Sequence, residues 1–147
     1  MKVYIGSDHA GFAMKEVVQK HLKDQGQEVL DLGIFDEVNP ADYPDVAREV
    51  GEKVVENRES RGVLICGTGM GMGIAANKIK GIRAAVAHDE TTARLARQHN
   101  DANIIAFGQR IVGNDVGKDI VDIFLSTDFE GGRHENRIKK ISEIENA

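Results

Sequence analysis

Residues 62–78 have the sequence GVLICGTGMGMGIAANK, in which four alternating glycines follow an apolar run. The run Val63–Ile65 is typical of a strand that is buried on both faces. The residues after the glycines, 74–78, are good helix formers. A parallel α/β fold joins strand to helix through such a loop, and the unpaired backbone N–H groups there can hold an anion. The stretch therefore predicts a parallel sheet with an anion site at this loop.

The glycine spacing excludes the two common nucleotide-binding loops. A dinucleotide fingerprint, G-x-G-x-x-G, would need glycine where Met72 or Ile74 stands. A P-loop would need glycine before Lys78 and a hydroxyl residue after it. Two interpretations stay open at this point: an oxyanion or phosphate cradle without a nucleotide, or a tight turn in which glycine only allows close backbone approach.

Cys66 is the single cysteine of the chain, and it stands where the predicted strand meets the glycine loop. One cysteine cannot form an internal disulfide, and nothing in the sequence resembles a zinc ligand set. Cysteine is also among the most buried residue types, so a small core residue is the simpler interpretation of Cys66 taken alone.

The composition narrows the class of protein. The 147 residues include 19 basic and 24 acidic side chains, a net charge of −5, with no basic run. This charge disfavours general nucleic-acid binding. No stretch approaches the roughly 20 apolar residues of a membrane span, and the N-terminal sequence MKVYIGSDHAG predicts a strand rather than a signal peptide. We expect a single cytoplasmic domain over residues 1–147, without a membrane or nucleic-acid partner.

Strand and helix patterns alternate along the chain. Residues 33–45 are predicted to form a loop that contains both prolines, Pro40 and Pro44. Predicted strands cover residues 3–5, 28–32, 63–65, 82–87 and 103–107, and predicted helices cover 10–25, 44–57, 74–78, 90–98, 114–126 and 133–144. Short connections between such units predict a Rossmann-like, doubly wound sheet of five parallel strands with helices on both faces, plus a C-terminal helix.

This architecture predicts the position of the site. Ligands bind beyond the carboxyl ends of the strands, where the strand order reverses. With an assumed order of 2-1-3-4-5, the reversal lies between the first and third strands. Those strands end at Asp8-His9 and at Cys66-Gly67, so chemically capable residues meet at the predicted reversal.

Several separated segments carry a family resemblance. They are GSDHAG (6–11), DYP (42–44), CGTGMGMGIAANKIKGIRAA (66–85), RQHNDANIIAFGQRIVG (97–113) and EGGRHENR (130–137). In this order and over nearly the whole chain, they resemble ribose-5-phosphate isomerase type B. The wider family also includes galactose-6-phosphate isomerase subunits and enzymes that act on allose 6-phosphate.

The resemblance implies an aldose–ketose isomerase that works through an enediolate, without metal or other cofactor. Cys66 matches the cysteine that serves as base in the family. A thiol has a reference pKa of about 8.5, and a helix N-terminus lowers it, so a thiolate at neutral pH is consistent with this role. Some relatives use a glutamate further along this loop, but residues 70–76 contain no carboxylate here. By the same resemblance, Asp8 and His99 open the sugar ring. Thr68 lies where protons pass between the two sugar oxygens, although a turn-stabilising hydroxyl is an equally simple interpretation.

The resemblance also assigns the residues that bind the phosphorylated sugar. Arg133 and Arg137, one helical turn apart, share a face that suits a phosphate; without the resemblance this face would be interpreted as a solvated basic surface. The implied substrate-binding residues are His9, Tyr43, Gly67, Gly69, Met70, Gly71, Asn100, Arg110, Arg133 and Arg137.

The resemblance further implies a homodimer with shared active sites, in which His99 and the arginine helix of one subunit approach the glycine loop of the other. It leaves a tetramer open. Four functions remain to be separated: a ribose 5-phosphate isomerase, an isomerase of a six-carbon sugar phosphate, a non-catalytic sugar-phosphate sensor, and a nucleotide or flavin carrier. The sensor is disfavoured because base, loop and ring-opening histidine are all present. The carrier lacks a fingerprint. His21 and His134 receive no role in catalysis, whereas His88, at the end of the fourth predicted strand, leaves a pocket role open.

Overall fold

The structure is a computed structural model that describes residues 1–38 and 41–147. Within these residues the strands are β1 (Lys2–Ser7), β2 (Glu28–Asp31), β3 (Arg61–Cys66), β4 (Ala84–Val86) and β5 (Ile104–Gly108). The helices are α1 (Phe12–Asp24), α2 (Tyr43–Glu56), α3 (Met70–Ala76), α4 (Glu90–Gln98), α5 (Asn114–Ser126) and α6 (Arg133–Glu145). Pro40, which the sequence assigns to a loop, lies outside the described residues.

The five strands form one parallel sheet in the order β2-β1-β3-β5-β4. The predicted five-stranded, doubly wound fold is confirmed, but the assumed order of the last two strands is wrong. All five residues of β5 are buried, so β5 lies beside β3, whereas the short and partly exposed β4 takes the edge. The reversal between β1 and β3 is retained. The pairing of Cys66 with Gly108 places both residues at the carboxyl edge of the sheet.

Helices cover both faces of the sheet because alternate strand residues point in opposite directions. Val3 and Ile5 face a core that includes buried residues of α1, α4 and α5. Tyr4 and Leu64 face a second core that includes buried residues of α2 and α3. Cys66 belongs to this second core.

Most element boundaries agree with the sequence patterns, but the helix predicted at 74–78 is observed at Met70–Ala76, so Gly71 and Gly73 belong to α3. The predicted helices 90–98 and 114–126 are confirmed without change. The first helix begins later than predicted, because a 3-10 turn, His9–Gly11, precedes α1. Ile141 and Ile144 of α6 are exposed, which leaves an apolar strip on that helix. None of the helices in the described parts of the chain has the length and apolar character needed to cross a membrane.

Candidate active site

Cys66 ends β3, and its side chain is nearly enclosed, with 6% of the residue exposed. Its Sγ accepts a hydrogen bond from the backbone N–H of Gly69 at 3.1 Å. Gly69 has φ 83° and ψ −20°, a left-handed conformation that favours glycine. A Cβ at this position would lie 2.7 Å from Cα of Phe107. The tight loop therefore requires glycine at residue 69 and directs one N–H at the sulfur.

The other N–H groups of the loop differ in their hydrogen-bond partners. Met70 donates its N–H to Oγ1 of Thr68 at 3.2 Å, so the Thr68 hydroxyl stabilises the turn and keeps its own proton free to donate. The N–H groups of Thr68 and Gly71 find no acceptor among residues 1–38 and 41–147. Because α3 has only seven residues, these nearby N–H groups matter more to a bound anion than the helix dipole does.

Asp8 reaches the same edge from β1. The residue is 8% exposed, and its Oδ1 accepts the N–H of Gly11 at 3.1 Å. Gly11 packs directly on the backbone of Ile65 and Cys66, so the turn after β1 lies against the end of β3. His9, the next residue, is exposed to solvent. The structure thus places Asp8 and His9 beside the cysteine loop, as the strand reversal predicts.

Two further predicted residues border this loop. Arg110 donates its backbone N–H to the carbonyl of Gly67 at 3.0 Å, and a Cβ on Gly67 would lie 3.2 Å from the Arg110 guanidinium. The ring of Tyr43 packs on Gly71, where a Cβ would approach it to 2.6 Å. We name this group, Asp8, His9, Tyr43, 66–71 and Arg110, the cysteine half of the site.

His88 also belongs to this region, for which the sequence pattern left a pocket role open. Its Nε2 lies 2.9 Å from the carbonyl oxygen of Thr68. The signal was the position of His88 just after β4, because the carboxyl ends of parallel strands meet at one edge.

A second cluster forms around His99, which follows α4. The His99 ring stacks on the ring of His134, with centroids 4.3 Å apart and an interplanar angle of 14°. The Nε2 of His99 lies 3.7 Å from a carboxylate oxygen of Glu130. Burial lowers the pKa of His134, and the adjacent His99 lowers it further. Arg133 and Arg137 extend from the same helix as His134.

We name this second cluster the histidine half of the site; it consists of residues 99, 100, 130, 133, 134 and 137. The cluster lies at the amino edge of the sheet. The N–H of Gly62, at the start of β3, donates to the carbonyl of Asn103, just after this half. Cys66 is at the other end of the same six-residue strand, roughly 16 Å away at about 3.3 Å per residue. One chain therefore keeps the two halves of the predicted site apart.

Within the described ranges, one group of side chains has the spacing of a possible metal site. It consists of His99, Glu130 and His134, whose ligand atoms all lie within 4.8 Å of one another. The lone pairs of an imidazole lie in the plane of its ring. Since the two rings are nearly parallel, their lone pairs do not converge on one point. The stack fits a metal ion poorly.

Two further polar pairs link elements of the fold. His21 pairs with Asp122 at 2.9 Å and thereby links α1 to α5. Lys15 is fully buried; its Nζ lies 2.8 Å from Asp31 and also donates to the carbonyl of Ile34. A lysine on a helix is normally expected in solvent, so no sequence signal pointed to this pair.

Comparisons with known proteins place this geometry in a family. A model of the ribose/galactose isomerase family matches residues 3–141. Ribose-5-phosphate isomerase B of Escherichia coli is 46% identical over 98% of this chain and 96% of its own length. The structure of ribose-5-phosphate isomerase B from Clostridium thermocellum is 50% identical, covers 99% of this chain and 98% of its own, and superposes with a TM-score of 0.96. The Mycoplasma genitalium enzyme, solved with bound ribulose-5-phosphate, is 45% identical with a TM-score of 0.95 over 99% of this chain and 96% of its own. The chain, with its cysteine at the mouth of a glycine loop, belongs to the ribose/galactose isomerase family.

Proposed function

We propose that this protein interconverts ribose 5-phosphate and ribulose 5-phosphate. The observation that carries the proposal is the Cys66 sulfur, held by the Gly69 N–H beside further open N–H groups. The full-length similarity to ribose-5-phosphate isomerases B, one of them with bound ribulose-5-phosphate, supports this substrate. Residues 1–147 would act as one domain, in the cytoplasm where phosphorylated sugars are found.

In this proposal Cys66 is the base. Its thiolate takes the proton from C2 of the open-chain aldose, and the electron pair moves to form an enediolate. The Cys66 thiol exchanges its proton with solvent and then delivers a proton to C1 to give the ketose. The hydroxyl of Thr68, which keeps its proton free, passes a proton between O2 and O1.

Backbone N–H groups would stabilise the negative charge that develops on the sugar oxygen. The N–H groups of Thr68 and Gly71 supply the stabilisation that a Lewis acid would otherwise provide. Loss of one such donor typically costs on the order of 100-fold in rate. The reaction is therefore proposed to be independent of metal.

Ring opening and phosphate binding require the histidine half. His99, with Asp8, would exchange protons with the ring oxygen and the anomeric hydroxyl. Arg133 and Arg137 would hold the phosphate with His9 and Arg110, and Asn100 would bind a sugar hydroxyl. All of these groups must reach one small sugar, yet in one chain they lie at opposite sheet edges. We therefore include a homodimer with shared sites in the proposal, and a tetramer of two such dimers would satisfy the same requirement.

The test is an isotope experiment. The purified protein is incubated with ribose 5-phosphate in D₂O, with and without a chelator, and allose 6-phosphate is run in parallel. Ketose formation with deuterium at C1, undiminished by the chelator and lost in Cys66→Ala, is the expected result. Binding without turnover would instead indicate a sensor, and faster turnover of allose 6-phosphate would assign a six-carbon substrate.

A further inference from the structure

His88 and Cys66 contact the two ends of one peptide group. The carbonyl oxygen of the Thr68–Gly69 peptide lies 2.9 Å from Nε2 of His88. The N–H of the same peptide donates to Sγ of Cys66 at 3.1 Å. Since a carbonyl oxygen only accepts hydrogen bonds, Nε2 of His88 must carry a proton. The ring, the peptide and the sulfur therefore form a continuous chain of hydrogen bonds.

The conformation of Gly69 explains why this peptide needs an anchor. Its φ of 83° and ψ of −20° are those of the third residue in a type II turn. Types I and II differ by a flip of the central peptide, which here is Thr68–Gly69. After a flip the N–H would point away from the sulfur of Cys66. Glycine permits both states, so its own backbone preference does not secure the one that is observed.

We infer that His88 is a positioning residue which holds the Thr68–Gly69 peptide in the orientation that stabilises the Cys66 thiolate. The inference rests on the proposed role of Cys66 as the base. His88 does not contact the reacting atoms. It acts by fixing the peptide and by polarising it, because a hydrogen bond to a carbonyl strengthens the N–H donor at the other end.

The position of His88 itself is well defined. It lies between β4 and the N-terminus of α4, where its neighbour Asp89 caps the helix by accepting the N–H of Thr92 at 2.7 Å. The hydroxyl of Thr92 also donates to the Asp89 carboxylate. These two hydrogen bonds, with a smaller contribution from the charge of His88, hold the pKa of Asp89 below its ordinary value. The Asp89 carboxylate is thus ionised at neutral pH beside the ring.

The test compares His88→Ala with His88→Gln. Glutamine can still donate an N–H to the Thr68 carbonyl, whereas alanine cannot. We expect His88→Ala to lower kcat on the order of tenfold with little change in KM, since one positioned hydrogen bond is lost. We expect His88→Gln to stay close to the wild type. The control is His21→Ala. The Nε2 of His21 also makes a hydrogen bond of 2.9 Å, but its partner is Asp122 on α5, far from the glycine loop.

A second measurement needs no substrate and therefore separates this inference from the proposed function. Because the chain has one cysteine, ultraviolet absorbance against a Cys66→Ala blank reports a single thiolate. The thiolate transition of His88→Ala should move to higher pH, and that of His88→Gln should not. An unchanged transition in His88→Ala, or equal effects of both substitutions, would overturn the inference.

A third measurement covers the case in which His88→Ala does not fold. The ¹⁵N chemical shifts of the wild-type His88 ring distinguish the two neutral tautomers. The inference requires the proton on Nε2; a proton on Nδ1 alone would contradict it, because Nε2 could not then donate to Thr68.

Discussion

Two inactive variants of this protein should restore activity to each other when they share a dimer. The first is Cys66→Ala, which removes the proposed base, and the second is His99→Asn, which removes the proposed ring-opening group. Both groups must reach atoms of one sugar ring at hydrogen-bonding distances of about 3 Å. In one chain they lie at opposite edges of the sheet, which are separated by the length of the six-residue strand β3, roughly 16 Å. The proposed function therefore requires a site that combines Cys66 of one copy with His99 of another.

The size of the effect follows from the symmetry of a dimer. In a mixed dimer, the Cys66→Ala chain keeps His99 and the His99→Asn chain keeps Cys66. One of the two shared sites is then intact and the other carries both defects. Purified mixed dimers should show about half the wild-type activity, and an equal, freely exchanged mixture should show about a quarter. If both residues acted within one chain, every site would carry one defect and no activity would return.

The assay uses chains with two different affinity tags, which are refolded together so that mixed dimers can be isolated. Ketose formation from ribose 5-phosphate is then measured for each species. The matched control combines Cys66→Ala with Gly69→Ala, since both substitutions disrupt the cysteine half and cannot complement each other. Inactive mixed dimers, beside active wild-type dimers prepared in the same way, would refute the reasoning.

Three further predictions concern binding and stability. Arg137→Ala should raise KM for ribose 5-phosphate on the order of tenfold, while Lys139→Ala on another face of the helix should leave it unchanged; equal KM values would remove Arg137 from phosphate binding. Asp31→Asn should lower the free energy of unfolding, measured in urea, by about 3 kcal/mol, because the buried Lys15 ammonium loses its partner, and a loss near zero would contradict this. Burial holds the pKa of His134 below its unfolded value of about 6.5, so the unfolded state binds more protons and stability falls on acidification from about pH 7 to about pH 5. His134→Gln should lose less stability over this range, and identical slopes would show that His134 does not contribute.

The position of Asp8, His9 and the cysteine loop could be predicted because these residues lie at the ends of strands. Cys66 and Asp8 each come after an apolar run, and parallel strands bring their carboxyl ends to one edge. The hydroxyl of Thr68 shows the limit of this reasoning, since only the structure reveals its hydrogen bond to Met70. The buried Lys15 shows a further limit, because its partner Asp31 lies on another element.

The order of the strands illustrates a different limit. Periodicity identifies β4 and β5 as strands, but it does not say which of them lies beside β3. That choice depends on which strand can be buried on both faces, and the fully buried β5 takes the inner position.

The amino-acid sequence by itself determined the class of fold, the glycine loop and the cysteine at its mouth, because these depend on local patterns of apolar residues and backbone freedom. Only the tertiary structure decided that Cys66 and His99 lie at opposite edges of the sheet, and that His88 holds the peptide whose N–H reaches the sulfur. The physical reason is that distances between side chains far apart in sequence depend on how the elements pack, and local patterns contain no such distances.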